Sequence, residues 1–197
     1  MKIGIDIDDT ALITVKSMIK YADKYDVEEV GGTGTNGNLG LIKDRYYLKV
    51  LYGWNDKTKF SFFNKYYKNV LEECVPMPDV ADVIKKLKED GHEIQFVTAR
   101  LINIPDCDTE TITKDTLEKY SIPYDKLVIH VNDKVKYCLE NDIDMFIEDS
   151  FDTCQKLEDN GIKSYLMTTR MNENLIDPRV ERINSWNELY NKIKNYK

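Results

Sequence analysis

Between residues 79 and 170 the chain alternates short apolar runs with amphipathic stretches, and this alternation limits the fold more than any other sequence feature. Apolar runs of strand length occur at 93–97, 127–131, 145–147 and 164–167, and helical apolar spacing occurs at 80–90, 109–120, 133–141 and 151–160. Strands that alternate with helices predict a parallel sheet with helices on both faces. The N-terminal run Ile3-Gly4-Ile5 supplies a further strand. The predicted fold class is therefore α/β, with a Rossmann-like parallel sheet.

Capping residues mark two of the predicted helices. Asp79 is the predicted N-cap of a helix that Gly91 ends. Ser185 has Glu188 three residues later, which is the pattern of a capping box at the start of the last helix.

Residues 11–75 interrupt the alternation directly after the first strand. Apolar residues at Leu12, Val15, Ile19 and Ala22 have helical spacing, a glycine-rich loop follows at 31–40, and 41–74 has a helical and aromatic pattern. The glycine loop lacks the preceding strand and the following GK[ST] of a phosphate-binding loop. We therefore predict a core domain, 1–10 and 76–197, with a helical cap of residues 11–75 inserted in it.

Three carboxylates follow the first strand within four positions, as Asp6, Asp8 and Asp9. Such charges repel one another at a strand end, so they need a cation or a shell of hydrogen bonds. A hard divalent cation, most simply Mg²⁺, fits an all-oxygen set. Asp6 and Asp8 lie two apart on an extended chain and so point to the same side. The alternative is a polar loop that merely follows a strand.

Further polar residues follow the next strands of the predicted sheet. They are Thr98 and Arg100 after the second strand, Lys134 after the third, and Glu148 with Asp149 after the fourth. Open parallel sheets bind ligands at the carboxyl edge of the strands, where the strand order reverses. If the first and fourth strands are neighbours, Asp149 faces Asp6 and Asp8 and completes a metal site.

This order of motifs resembles the haloacid dehalogenase-like (HAD) phosphatase superfamily. The resemblance covers 1–10 and about 79–170, which is the whole predicted core. The position of the cap and the endings Phe96-Val97-Thr98-Ala99-Arg100 and Ile147-Glu148-Asp149-Ser150 are most similar to the branch related to 5'(3')-deoxyribonucleotidases, which includes bacterial nucleotidases.

The resemblance implies a role for each site residue. Asp6 would be the nucleophile that forms an aspartyl-phosphate, and Asp8 would be the general acid and base. Mg²⁺ would be held by Asp6, Asp8 through its backbone carbonyl, and Asp149. Phosphate would be bound by Thr98 and Lys134, with Arg100 either a further phosphate contact or part of a salt bridge. Glu148 and Asp9 would contact the residues that bind the metal and substrate, and Glu148 would reach the metal only through water. The alternative for Asp9 is to cap a helix that starts near Thr10.

The resemblance also implies an activity, which is Mg²⁺-dependent hydrolysis of a phosphate monoester. The substrate favoured is a nucleoside monophosphate, because residues 11–75 hold 11 of the 21 aromatic residues and one or two facing a cleft could stack on a base. A sugar phosphate or another small phosphorylated metabolite is the alternative. The pattern gives no oligomeric state.

Charge and composition restrict the expected binding partners and the expected cellular compartment. The net charge is −7 and no basic stripe occurs, which argues against duplex nucleic acid as a partner. No segment has the roughly 20 apolar residues of a membrane span, and no N-terminal signal pattern is seen. The four cysteines are widely spaced and have no zinc-ligand pattern. We therefore expect a cytoplasmic protein that does not bind membranes.

Two other classes of protein are compatible with parts of the pattern. A receiver-type signalling domain also gathers acids, Thr and Lys around Mg²⁺, but its phospho-acceptor follows a later strand and it lacks a large insertion after the first. A non-catalytic binding domain with this fold would be expected to have lost Asp6 or Asp8, and both are present. Release of phosphate from a simple ester separates an enzyme from both.

Overall fold

The structure is a computed structural model that describes residues 1–196. Its strands are β1 Lys2–Ile5, β2 Leu12–Ile13, β3 Val75–Pro76, β4 Glu93–Val97, β5 Lys126–Val128, β6 Met145–Glu148, β7 Lys163–Met167 and β8 Glu181–Ile183. Its α-helices are α1 Val15–Tyr25, α2 Tyr47–Tyr52, α3 Asp56–Glu72, α4 Val80–Glu89, α5 Thr109–Lys119, α6 Lys134–Asn141, α7 Phe151–Asp159 and α8 Trp186–Lys194.

Six of the strands form one parallel sheet in the order β5-β4-β1-β6-β7-β8. The strand β1 lies inside the sheet, and its Ile5 is in register with Phe96 of β4 on one side and Ile147 of β6 on the other. The chain moves outward in one direction through β4 and β5 and in the other through β6 and β7, so the order reverses beside β1. The predicted α/β fold is confirmed, and the first and fourth predicted strands are neighbours.

Helices cover both faces of this sheet. Leu87 of α4 and Leu189 of α8 belong to the hydrophobic cluster on one face, while Cys138 of α6 and Leu157 of α7 belong to the cluster on the other. Gly4 in β1 is required by a close approach, because a Cβ there would lie 2.3 Å from the ring of Phe146. The strands that carry the acidic residues are therefore fixed by packing from both sides.

The segment 11–75, called the cap segment below, begins and ends in a two-stranded antiparallel pair of β2 with β3. The expected first helix starts at Val15 rather than at Leu12, because Leu12 and Ile13 form β2. The segment has a hydrophobic cluster of its own that includes Tyr25, Trp54 and Phe62. This cluster lies apart from those of the sheet.

The glycine-rich loop is held by two carboxylates that project from the end of α1. Asp23 accepts hydrogen bonds from the backbone N–H groups of Thr35 and Gly37, and Asp26 accepts one from Gly34. Asp26 also accepts a hydrogen bond from the indole N–H of Trp54 at 2.9 Å. The loop therefore packs against the cap segment as a structural element.

Two sequence expectations about helix ends need correction or refinement. Asp79 precedes α4 but does not cap it with its side chain: its φ is 63°, and its carboxylate accepts a hydrogen bond from the Asn187 amide. Ser185 does cap α8, accepting from the N–H of Glu188, whose carboxylate accepts in return from the N–H of Asn184. The strand β8 was not predicted. Among residues 1–196, no helix is long and apolar enough to cross a membrane.

Candidate active site

A group of polar side chains, called the floor below, lies at the carboxyl edge of the sheet and consists of Asp6, Asp8, Thr98, Arg100, Lys134, Glu148 and Asp149. Asp6 and Lys134 lie at its centre. Asp6 follows β1 directly, is 5 % exposed, and is fixed by its own N–H, which donates to the carbonyl of Ile147. Lys134 is the first residue of α6, and its ammonium donates to Asp6 Oδ1 at 2.5 Å and to Glu148 Oε2 at 2.6 Å. One cation thus joins the ends of two neighbouring strands through a pair of carboxylates.

Three carboxylates lie close together around the ammonium of Lys134, so one positive charge faces three acidic groups. Oxygens of Asp6, Glu148 and Asp149 lie within 4.8 Å of one another. Burial raises the pKa of Asp6 to about 7 even though Lys134 opposes the shift, and burial together with the charge of Glu148 raises the pKa of Asp149 well above its usual value. The cluster therefore resists full ionisation unless a further cation joins it.

The carboxylate of Asp8 lies outside this cluster and is bound by Arg100. The Arg100 Nε contacts both Asp8 oxygens at 3.2 and 3.1 Å, Nη2 donates to Oδ1 at 2.8 Å, and the Thr14 hydroxyl donates to Oδ1 at 2.5 Å. Burial favours a higher pKa for Asp8, but the charge and hydrogen bonds of Arg100 outweigh it and hold the pKa below its usual value. Asp8 is thereby held ionised.

The guanidinium of Arg100 is held by Asp8 and by one further side chain. Its side chain is fully buried, and its remaining Nη1 donates to the hydroxyl of Thr113 at 2.8 Å. The salt-bridge alternative is therefore observed in this arrangement, and the phosphate contact stays a prediction. Thr113 comes from helix α5 and Asp8 from the loop after β1, so side chains of the protein surround the guanidinium.

Thr98 lies where the sequence pattern places it, at the end of β4 and in the wall of the cleft. It is 1 % exposed, its backbone N–H donates to the carbonyl of Val128, and its carbonyl accepts from Val131. Its hydroxyl accepts from the N–H of Arg100 at 3.3 Å and so keeps its own hydrogen to donate. A buried hydroxyl at a strand end can therefore serve an incoming anion.

Asp9 and Glu148 support the acidic loops through backbone contacts. Asp9, in a left-handed conformation with φ 55°, accepts hydrogen bonds from the N–H groups of Thr14 and Val15, so it caps α1 rather than a helix near Thr10. Glu148 Oε1 accepts hydrogen bonds from the backbone N–H groups of Asp149 and Ser150. Since an oxygen of Glu148 also belongs to the close carboxylate group, it lies nearer the candidate metal position than an outer supporting residue would.

These residues open into a cleft of about 520 Å³ between the floor and the cap segment. The lining includes the floor residues other than Glu148, together with Met18, Lys59, Phe63, Tyr67 and Met171. Tyr67 contacts the floor, because its hydroxyl accepts a hydrogen bond from the N–H of Leu101 at 3.0 Å. No motif in the sequence marks these lining residues individually, although the spacing of 59, 63 and 67 places them on one face of a helix.

Two further residues near the acids were not singled out from the sequence. Tyr47 of the cap segment has a pKa raised well above its usual value by burial and by the carboxylates of Asp9, Asp8 and Asp149. Asn172, which is 2 % exposed, donates from its amide to the carbonyls of Asp149 and Met167 and so fixes the loop after β6. No local motif marks either position, since both depend on how distant segments meet.

Comparison with known proteins identifies relatives of the chain. The family model described as 5' nucleotidase, deoxy (pyrimidine), cytosolic type C protein matches residues 47–197. A nucleotidase of Clostridium acetobutylicum is 31 % identical over 147 residues, 74 % of this chain and 73 % of that protein.

Solved structures share the fold. A predicted phosphatase from Clostridium acetobutylicum has a TM-score of 0.75 at 16 % identity, covering 99 % of this chain and 98 % of that one. A HAD-superfamily hydrolase of subfamily IA from Geobacter sulfurreducens has a TM-score of 0.62 at 10 % identity, covering 97 % and 98 %.

Proposed function

Because the chain belongs to the family of cytosolic type C deoxy-pyrimidine 5' nucleotidases, within the HAD phosphatases, and is a phosphoric monoester hydrolase, we propose that it hydrolyses nucleoside monophosphates. The proposed reaction depends on Mg²⁺ and passes through an aspartyl-phosphate on Asp6. The observation that carries the proposal is the cleft in which Asp6, Lys134 and Asp149 meet beneath the cap segment. The family description also supports a cytoplasmic location.

The chemistry of the donor set fits Mg²⁺. The oxygens of Asp6, Glu148 and Asp149 lie within 4.8 Å of one another, and among residues 1–196 Lys134 is the single ammonium bonded to two of these residues. Carboxylate oxygens suit a hard cation. Burial raises the pKa values of Asp6 and Asp149, so a further cation would favour their ionised forms. Asp6, Asp149 and the backbone carbonyl of Asp8 would hold the ion. When bound, Mg²⁺ screens the carboxylates from the anionic ester.

Asp6 is the proposed nucleophile because it is central, buried and pre-oriented. One Asp6 oxygen attacks phosphorus while the bond from phosphorus to the leaving oxygen breaks, which gives the aspartyl-phosphate. Water then attacks phosphorus, the bond to Asp6 breaks, and inorganic phosphate leaves. Thr98 and Lys134 are the proposed hydrogen-bond donors to the phosphoryl oxygens. Lys134 would use the one N–H that Asp6 and Glu148 leave over, and both donors would stabilise charge in the two transition states.

Asp8 is the proposed proton carrier of both steps. It gives a proton to the leaving oxygen in the first step and accepts one from the attacking water in the second. The Arg100 pair prepares Asp8 for the second role, since it favours the ionised form. For the first role Asp8 must be protonated, and the approach of an anionic phosphate favours that form because like charge raises a carboxyl pKa.

The experiment is measurement of phosphate release from a panel of nucleoside monophosphates and sugar phosphates, with Mg²⁺ and with EDTA. We expect turnover of nucleotides that EDTA abolishes, and a loss of at least about 1,000-fold in Asp6→Asn. Asp82→Asn, an exposed acid on α4, is the matched control. Turnover of sugar phosphates alone would favour the alternative substrate class, and full activity of Asp6→Asn would remove Asp6 from the mechanism.

A further inference from the structure

Among the residues that line the cleft, Lys59 is the cation that has no contact with the acids of the floor. Lys134 is bound to Asp6 and Glu148, and Arg100 is bound to Asp8. The side chain of Lys59 is 41 % exposed, and its ammonium pairs at 3.2 Å with Asp56, whose own side chain is fully exposed. Ion pairs between exposed groups are weak, so the ammonium can exchange Asp56 for a ligand.

The helix α3 places this cation at a distance from the reacting centre. Lys59, Phe63 and Tyr67 are four residues apart, so they share one face of the helix, and all three line the cleft. Tyr67 is the member tied to the floor through Leu101. At 1.5 Å per residue, Lys59 lies about 12 Å along the helix axis from Tyr67, with the partly buried ring of Phe63 between them.

We infer that Lys59 is a specificity-determining residue that binds the leaving group of the substrate rather than its phosphoryl group. The inference rests on the proposed function. An ammonium has three donors and no acceptor, so its partner on the leaving group must be a hydrogen-bond acceptor. The ring of Phe63 requires an apolar or aromatic face next to that acceptor.

These requirements describe a class of substrate. A leaving group that packs on Phe63 and reaches Lys59 must be extended, must have a flat apolar face and must carry an acceptor at its far end. A nucleoside with a carbonyl oxygen on its base satisfies all three, and base–aromatic contacts are tolerant of base identity. A phosphorylated three-carbon metabolite has no flat apolar face to pack on Phe63.

The test compares Lys59→Met with Lys57→Met, an exposed lysine on another face of the same helix. The two substrates are phenyl phosphate, which has no acceptor at the far end of its leaving group, and the nucleotide that the unmodified protein turns over fastest. We expect Lys59→Met to lower kcat/KM about tenfold more for the nucleotide than for phenyl phosphate, mainly through KM. Lys57→Met should leave the ratio between the two substrates unchanged, and Lys59→Arg should restore most of it.

Inhibition by inorganic phosphate supplies a second readout. Since phosphate has no leaving group, its inhibition constant should differ less than about twofold between Lys59→Met and Lys57→Met. An unchanged substrate ratio, or a phosphate inhibition constant weakened as much as the nucleotide KM, would overturn the inference while leaving the proposed function standing. Failure of the unmodified protein to hydrolyse any nucleotide would instead refute the proposed function, and this inference with it.

Discussion

The buried ion pair between Arg100 and Asp8 should be a measurable determinant of stability. Replacing Arg100 by Met removes three N–H contacts to the Asp8 carboxylate and leaves that carboxylate without its cation. Breaking a buried pair from one side costs roughly 3–5 kcal/mol. Because Asp8 is 31 % exposed and water can reach it, we expect the free energy of unfolding to fall by about 2–3 kcal/mol.

A double-mutant cycle separates the ion pair from loss of packing. Asp8→Asn alone leaves the fully buried guanidinium of Arg100 opposite a neutral amide, whereas the double variant removes both charges of this pair. We therefore expect the double variant to be less destabilised than the sum of the single variants by at least about 1 kcal/mol. Urea unfolding in EDTA measures all four proteins without a contribution from bound metal.

The surface pair of Arg45 with Asp152 provides the matched comparison. The side chains of Arg45 and Asp152 are 50 % and 53 % exposed, so Arg45→Met should cost less than about 1 kcal/mol. Additivity of Arg100→Met and Asp8→Asn to within about 0.5 kcal/mol would show that the guanidinium contributes only through packing and that the ion pair adds nothing.

Two further predictions concern the pH dependence of stability at Asp6 and the hydrogen bond of Trp54. Burial raises the pKa of Asp6 to about 7, so between about pH 4 and 7 the metal-free folded state keeps a proton that the unfolded chain loses, and this group's contribution to stability falls as pH rises. Mg²⁺ needs the ionised form and should raise Tm more at about pH 8 than at about pH 5.5 in thermal unfolding, and an equal shift would contradict this. Trp54→Phe removes the indole hydrogen bond to the buried Asp26 and should lower the free energy of urea unfolding by about 1–2 kcal/mol, whereas an unchanged value would mean that this bond contributes nothing to the cap segment.

The sheet and the convergence of the acids could be predicted because they depend on local pattern and chain direction. Strands β4, β6 and β7 lie close to their predicted positions, since apolar runs bounded by helices have few other solutions. Asp6, Lys134 and Asp149 meet because each stands at the carboxyl end of a strand or the start of the next helix in a parallel sheet. These relations need no knowledge of side-chain packing.

Other features could not be predicted because they depend on contacts between distant segments. Arg100 meets Asp8 and Thr113 only when α5 has packed beside the first loop, and no spacing in the sequence encodes that contact. Leu12 has the periodicity of a helix, yet it forms a strand because Pro76 is available to pair with it across 63 intervening residues. The left-handed φ of Asp79 likewise overrides its high intrinsic preference for capping.

The proposed mechanism requires that the side chain of Asp6 becomes covalently bonded to phosphorus during turnover. The most direct measurement is an acid quench of the enzyme during turnover of a radiolabelled monoester, followed by mapping of the labelled peptide. An aspartyl-phosphate on Asp6 should give a base-labile label on the peptide that contains Asp6, and no label in Asp6→Asn. Sustained turnover with no label on that peptide, or a label that persists in Asp6→Asn, would contradict it.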